Sequence, residues 1–443
     1  MRSFPFLTAS LFALPMVAGC VAVNHATTPS LARSRVAREL NPQVDAASWN
    51  KFAKDNNSFA FDMYHKIRAE EGAKDNMVFS PVSINIALSM VYAGALDTTA
   101  DDIAKAMHYQ GWKPKDLFRA FNLLDQVLES RGDQAYHTQK DRPEAQSASS
   151  FRLNIINSIW CQQDIKFETP FLDTLALNYG AGVTLADFFT NSDAERERIN
   201  SWVAKETRDK IQNLIPEGVI SSDTVSVLVN AIHLKMPWSH SFKLAGDRMS
   251  FRIDDTQSAS VAYFTADESF EYGTDGDVQV VSVPLEGTFV HLVALVPPLG
   301  QLASLEEKLS ANYYAERLAS LRSERLVQLR VPVVNFTSPS LRLRSKLKSL
   351  GMVAPFDSQL ANFKGISTEV ALHLEDVIHK AMLAMNQDGV EAAAATAAIL
   401  NKEMATVAPD DVIELNLDRP FVVTLVDRPT GVILFAGHIL DPR

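Results

Sequence analysis

Cysteine is nearly absent: two in 443 residues, Cys20 and Cys161. A disulfide framework or a Cys-based zinc site cannot be built from them. No run beyond the N-terminal segment reaches the ~18 consecutive apolar residues of a membrane helix. Blocks rich in Lys and Arg are missing, and 42 basic against 53 acidic residues give a formal net charge of -11. That balance argues against nucleic acid as a partner. Also missing are a Gly-x-Ser-x-Gly elbow, a His-Glu-x-x-His zinc motif, a phosphate-cradling glycine loop and a dinucleotide fingerprint. The ten histidines are scattered and the carboxylates form no obvious pair, so an enzyme has no constellation to stand on. No repeat period of a solenoid or propeller is found.

A hydrophobic fraction of 47% supplies an ample core. Length alone allows two or three domains, or one large one. At the N-terminus, Met1-Arg2-Ser3 precedes the apolar stretch Phe4 to Val17 and then Val17-Ala18-Gly19-Cys20. A short charged start, an apolar segment too short to span a membrane and small residues before a boundary make an export signal, residues 1–19. The ending resembles a bacterial lipobox, in which Cys20 becomes the lipidated first residue of the mature chain; the alternative is ordinary signal cleavage beside an incidental cysteine. Residues 20–44 are polar with little periodicity and read as a flexible tether. Cys161 lies in the apolar run Ile155 to Cys161 and reads as a buried structural thiol.

From Trp49 to Arg68, Phe52, Phe59, Met63 and Ile67 recur at helical spacing. Ser80 and Pro81 are an N-cap and first-turn proline, and the helix they open is apolar nearly all round, hence buried. Residues 131–150 are polar and aperiodic, a loop. Strands are predicted over 151–160, 225–235, 278–285, 289–297 and 327–336, with Pro332 marking an edge or bulge. Helices are predicted over 170–179, 199–211, 305–321 and 341–350, the last closed by Gly351.

The stretch Asn386 to Leu400 is ambiguous. Six alanines between 392 and 398 favour a helix. Yet Gly389 precedes them, and at a period of two Val390, Ala392, Ala394, Thr396 and Ala398 share an uncharged face opposite Glu391. That pattern also suits a segment able to slip between strands.

The run His379-Lys-Ala-Met-Leu-Ala-Met-Asn-Gln-Asp-Gly-Val-Glu-Ala-Ala-Ala-Ala-Thr396 resembles the hinge of an inhibitory serpin. Other segments resemble the same family in its own order: Phe79-Ser80-Pro81-x-Ser83, Thr98 to Met107, Val225 to Trp238, Leu347 to Phe356 with Ala361 to Ser367, and Asp418 to Pro442. The resemblance covers about Trp49 to Pro442. It implies one domain, 45–443, of the mixed α+β serpin fold: three β-sheets, about nine helices and an exposed reactive-centre loop at about 387–417. With the lipobox, the chain resembles a bacterial, lipid-anchored member, exported to the periplasmic or extracellular side.

What the resemblance implies for function is a suicide substrate of serine (or cysteine) proteases. The protease nucleophile attacks the scissile carbonyl to give an acyl-enzyme. The freed segment then inserts as a new central strand; about fifteen residues at ~3.3 Å each carry the protease ~50 Å. The alternative is a non-inhibitory member acting as a binding or chaperone module. The hinge comprises Gly389, Val390, Glu391, Ala392, Ala393, Ala394, Ala395 and Thr396. Val390 departs from the usual Thr or Ser, and Gln387 stands where inhibitors commonly carry glutamate. Counting fourteen residues beyond Gly389 puts the scissile bond between Glu403 and Met404, with Lys402 the alternative. Ser80, Ser83, Asn230 and His379 match the shutter cluster, and Trp238 matches the breach, with Met236 in place of a glycine. The resemblance implies no catalytic residues of its own, no metal, no cofactor, a monomer, and membrane contact only through lipid on Cys20.

Overall fold

The structure, a computed structural model, describes residues 30–72, 74–139, 152–390 and 412–443. Among these are nine α-helices and three principal sheets of eight, six and four strands, beside a two-stranded ribbon. The expected mixed α+β architecture is present.

The large sheet is organised by two parallel neighbours, Ser226–Pro237 and Val377–Asn386. Outward from the first lie Arg152–Gln162, Val183–Ala186 and Leu31–Ala32; outward from the second lie Val334–Thr337 and Leu341–Arg342. The 226–237 strand is almost continuously buried, so its run of Val, Leu, Ala and Ile lacks polar alternation. Behind it lies the helix Pro81–Tyr92, buried through Val91. This helix touches the 152–162 and 226–237 strands on one side and Val432–Ile439 of the six-stranded sheet on the other. An all-round apolar helix is what a position between two sheets demands.

Four expected elements are resolved differently, among them the helix over 341–350, which begins only at Arg344 after the strand Leu341–Arg342. The helix expected over 305–321 is two, Leu302–Glu306 and Ala311–Ser320. Ser310 restarts the chain as an N-cap, its hydroxyl accepting from the Tyr313 amide at 3.2 Å. The strand expected over 327–336 divides at Val333 into Leu326–Pro332 and Val334–Thr337, which belong to different sheets. Pro332 cannot donate a ladder bond and ends the first. The loop expected from 131 is helical to Gln139, continuing Pro114–Gln139. Arg131 is buried there and grips Asp427 through Nε at 2.7 Å and Nη2 at 3.1 Å.

The tether expected over 20–44 is likewise corrected from residue 30 on. Leu31–Ala32 pairs antiparallel with Val183–Ala186, and Arg38 donates to Asn122 at 3.0 Å. Polar, aperiodic sequence satisfied its backbone on a neighbouring surface instead of on water. No described helix is long and apolar enough to cross a membrane.

Candidate functional site: an opening in the large sheet

The parallel strands pair in register from Val377 against Leu228 to Ala381 against Ile232. Beyond that point they part. Into the opening comes a two-residue strand, Gly389–Val390, which has turned back antiparallel to the strand it follows. Val390 lies between Met385 and Met236, and Gly389 between Asn386 and Pro237. The chain reverses at Gln387-Asp388, where the Asp388 amide donates to Asn386 Oδ1 at 2.8 Å.

Glycine is required at 389. Its φ is +148°, and a Cβ there would stand 2.2 Å from the Met236 carbonyl oxygen and 2.5 Å from Pro237 Cα. Backbone cannot yield to such a contact, and L-residues avoid this φ. Val390 is 1% exposed, so its apolar side chain suits the slot it fills. Met236, another departure from the family pattern, turns a fully buried side chain into the core while its carbonyl faces Gly389. Gln387 donates to Asp388 at 3.0 Å.

Trp238 closes the top of the opening. Its Nε1 donates to the Asn386 carbonyl at 2.7 Å, and its ring packs on Phe242 and Phe264 at 5.2 and 5.8 Å between centroids. Neither phenylalanine belongs to a motif in the sequence; only the folded sheet brings them to Trp238.

Beneath the sheet, Ser80, Ser83, Asn230 and His379 meet, each wholly buried. The Ser80 amide donates to His379 Nε2 at 3.0 Å, which makes Nε2 an acceptor and leaves the ring proton on Nδ1, against Asn230 Oδ1. Asn230 donates to Ser83 Oγ at 2.6 Å. Burial disfavours the imidazolium and lowers the His379 pKa to about 3. His379 and Asn230 are register partners on the two parallel strands, so the cluster ties both strands to the N-terminus of the 81–92 helix. Asn157 lies opposite Asn230 on the next strand; its one signal in the sequence is an Asn within a largely apolar strand, a mark that Asn154 shares.

On its far side the 377–386 strand is held by Ser338, whose hydroxyl accepts from the Ala381 amide at 3.0 Å and whose amide donates to the Ala381 carbonyl at 2.9 Å. Cys161 is buried, and desolvation pushes its thiol up to about 12, which makes it inert. Of the remaining predicted positions, Glu391, Ala392, Ala393, Ala394, Ala395, Thr396, Lys402, Glu403, Met404 and Cys20 lie outside the described residues.

The large sheet thus holds a two-residue strand, Gly389–Val390, between its two central strands. The family profile described as serpin (serine protease inhibitor) matches residues 54–442. Human Serpin B4 is 32% identical over 400 residues, covering 89% of this chain and 100% of its own. The leukocyte elastase inhibitor of Xenopus tropicalis is 30% identical over 395 residues, covering 87% and 97%. Among solved structures, the thermophilic serpin Tengpin in its native state superposes with a TM-score of 0.78 at 21% identity, covering 93% of this chain and 99% of its own. The chain belongs to the serpin family, whose members are mostly protease inhibitors and not enzymes.

Proposed function

We propose that this chain is a suicide-substrate inhibitor of serine endopeptidases, with cysteine endopeptidases open to the same chemistry. One observation carries the reading: Gly389–Val390 is already paired on both sides between the 226–237 and 377–386 strands. The chain that follows has its next positions in the sheet laid out.

The protease hydroxyl or thiol adds to the scissile carbonyl, the amide C–N bond breaks, and the new amine leaves with a proton from the protease's general acid. The carbonyl carbon stays esterified to the protease. Freed at that end, the segment after Val390 continues as a central strand. Each backbone hydrogen bond it gains contributes a net ~0.5–1.5 kcal/mol, so ten or more give a driving force far above thermal energy. The translocated, distorted protease no longer hydrolyses its ester. Leukocyte elastase inhibitor, by its name, represents inhibitory relatives.

The bond after Glu403 is the leading scissile candidate, before Met404, with Lys402 the alternative. Residues 1–19 serve as export signal and Cys20 as lipid attachment, leaving a monomeric domain on the periplasmic or extracellular side of a membrane. Incubation with trypsin, an elastase and a glutamyl endopeptidase tests the inhibitor reading. A complex surviving denaturation, together with a released C-terminal peptide, supports it, and the peptide's mass fixes the bond. Loop cleavage by all three with no covalent complex and no gain in thermal stability favours a binding module instead.

A further inference from the structure

The first acidic residue of the chain is Glu39, although the protein carries 53 acidic side chains and a formal net charge of -11. Just ahead of it stand Arg33, Arg35 and Arg38. The fold lays this basic segment along one flank of the molecule. Leu31–Ala32 pairs with Val183–Ala186. Arg33 donates to the Gly180 carbonyl at 3.1 Å, and the Glu39 amide donates to the Leu177 carbonyl at 2.9 Å. A Cβ at Gly182 would stand 2.5 Å from the Ala32 carbonyl oxygen. Backbone thus lies directly on backbone, and the strip is fixed to the body.

What the strip turns outward is apolar and cationic. Leu31, Val36, Leu40 and Leu177 are 49, 40, 74 and 38% exposed, four of the ten large apolar side chains that the described residues leave exposed. Arg33 and Arg35 are exposed among them. The acids alongside are engaged: Asp173 accepts from Ser34, and Asp125 and Glu129 face Arg38. Single exposed apolar side chains need no explanation, whereas a group of them gathered on one strip marks a contact surface. Leucine and valine interleaved with arginine fit an anionic lipid surface. The apolar side chains enter the headgroup boundary while the guanidinium groups meet phosphate.

Two lengths make this the surface a membrane meets. With lipid on Cys20, the chain from the anchor to Ser30 reaches at most about 36 Å when fully extended. A compact domain of about 400 residues is roughly 55 Å across. The pole opposite Ser30 therefore cannot be brought to the bilayer, and the flank beside Ser30 can. Along the sheet, Leu31 lies level with Val227 through Thr184 and Trp160, whereas Val390 lies level with Met236. The nine residues of strand from Val227 to Met236 span about 30 Å. With the flank on lipid, the hinge stands at the other end of the sheet, clear of the bilayer.

We propose that the strip formed by residues 31–40 and Leu177 is a docking surface for anionic phospholipid, which seats the domain on a membrane with its hinge end outward. The orientation rests on the anchor reading of the preceding subsection; the lipid chemistry of the strip does not. It is tested on the full protein as cells make it, extracted in detergent and reconstituted into vesicles of phosphatidylcholine, alone or mixed with phosphatidylglycerol. Ala37→Cys, at an exposed position beside Val36, carries a fluorescent dye, and a lipid-borne quencher reports its approach to the bilayer. Each arginine at an anionic surface changes partition about fivefold. Quenching is therefore expected to be at least about fivefold stronger with phosphatidylglycerol than without, and to fall at high salt. Arg33→Glu combined with Arg35→Glu should abolish the difference. Equal quenching on the two lipids overturns the surface, as does a difference that survives high salt or the double substitution. Mass spectrometry of residue 20 separates the two readings. An unmodified Cys20 ends the anchor reading, and the strip is then judged by co-sedimentation with the same vesicles. Retention only with phosphatidylglycerol, lost at high salt, supports it; retention on both lipids alike, or on neither, overturns it.

Discussion

At the scale of single residues, the hinge is decided by two side chains, one of them a hydrogen atom. Gly389 is fixed by the close approach of Met236 and Pro237 backbone. Val390 is fixed by burial between Met385 and Met236. Val390→Arg places a charge in a dry slot, where desolvation costs several kcal/mol. The expected outcome is a protein still cut in its loop but forming at least about tenfold less covalent complex per cut, read by denaturing gel. His379 gives a pH prediction. The unfolded imidazole takes up its proton near 6.5, whereas the native one waits until about 3. Between those values the unfolded state binds more protons, so stability present above 6.5 is lost as pH falls. The loss approaches about 1.4 kcal/mol per pH unit. Urea unfolding from about pH 6 to about pH 4.5 should show a steep decline in wild type and a flatter one in His379→Gln; parallel slopes would sink the assignment.

At the scale of elements, the 81–92 helix acts as a pin beneath the opening. Its N-terminal Ser80 and Ser83 hold His379 and Asn230, one from each parallel strand. Asn230→Ala strands Ser83 Oγ and His379 Nδ1 without their partner. Two unsatisfied buried groups predict about 2–4 kcal/mol of lost stability, measured by denaturant unfolding of the uncleaved protein. Trp238→Phe keeps most of the packing on Phe242 and Phe264 but drops the single bond to the Asn386 carbonyl. About 1 kcal/mol is expected, well below the Asn230 effect; a reversal of that order would mean the breach, not the shutter, holds the strands together.

At the scale of the whole molecule, the quantity on which the proposed inhibition turns is the gap between uncleaved and inserted states. Completing a strand that Gly389–Val390 begins adds ladder bonds on both of its sides. Loop cleavage should therefore raise the melting temperature by well over ~10 °C, followed by circular dichroism. An unchanged melting temperature would remove the thermodynamic basis for inhibition. The family was legible because its motifs are local: Ser80-Pro81 caps a helix, Gly351 closes one with φ of +103°, and the 226–237 strand is buried along nearly its whole length. The breaks at 307–310 and at Val333 were not legible, because a continuous apolar pattern does not report which sheet each half will join.

The sequence by itself determined the α+β class and the buried helix behind the large sheet, and its resemblance to a family pointed to the four residues that meet beneath that sheet and to the glycine at 389. Propensity, periodicity and the short motifs that carry the resemblance act within a few residues of chain. Only the tertiary structure decided that the hinge is already seated at Val390, and that Trp238 closes over it. It alone decided that the polar residues 30–44 are bound and not free. Such facts depend on surfaces assembled from segments far apart in sequence: Met236 against Gly389, Asn386 against Trp238, Gly182 against Ala32. Close approach of two backbones leaves a mark on only one glycine, and nothing in the chain says which partner that glycine awaits.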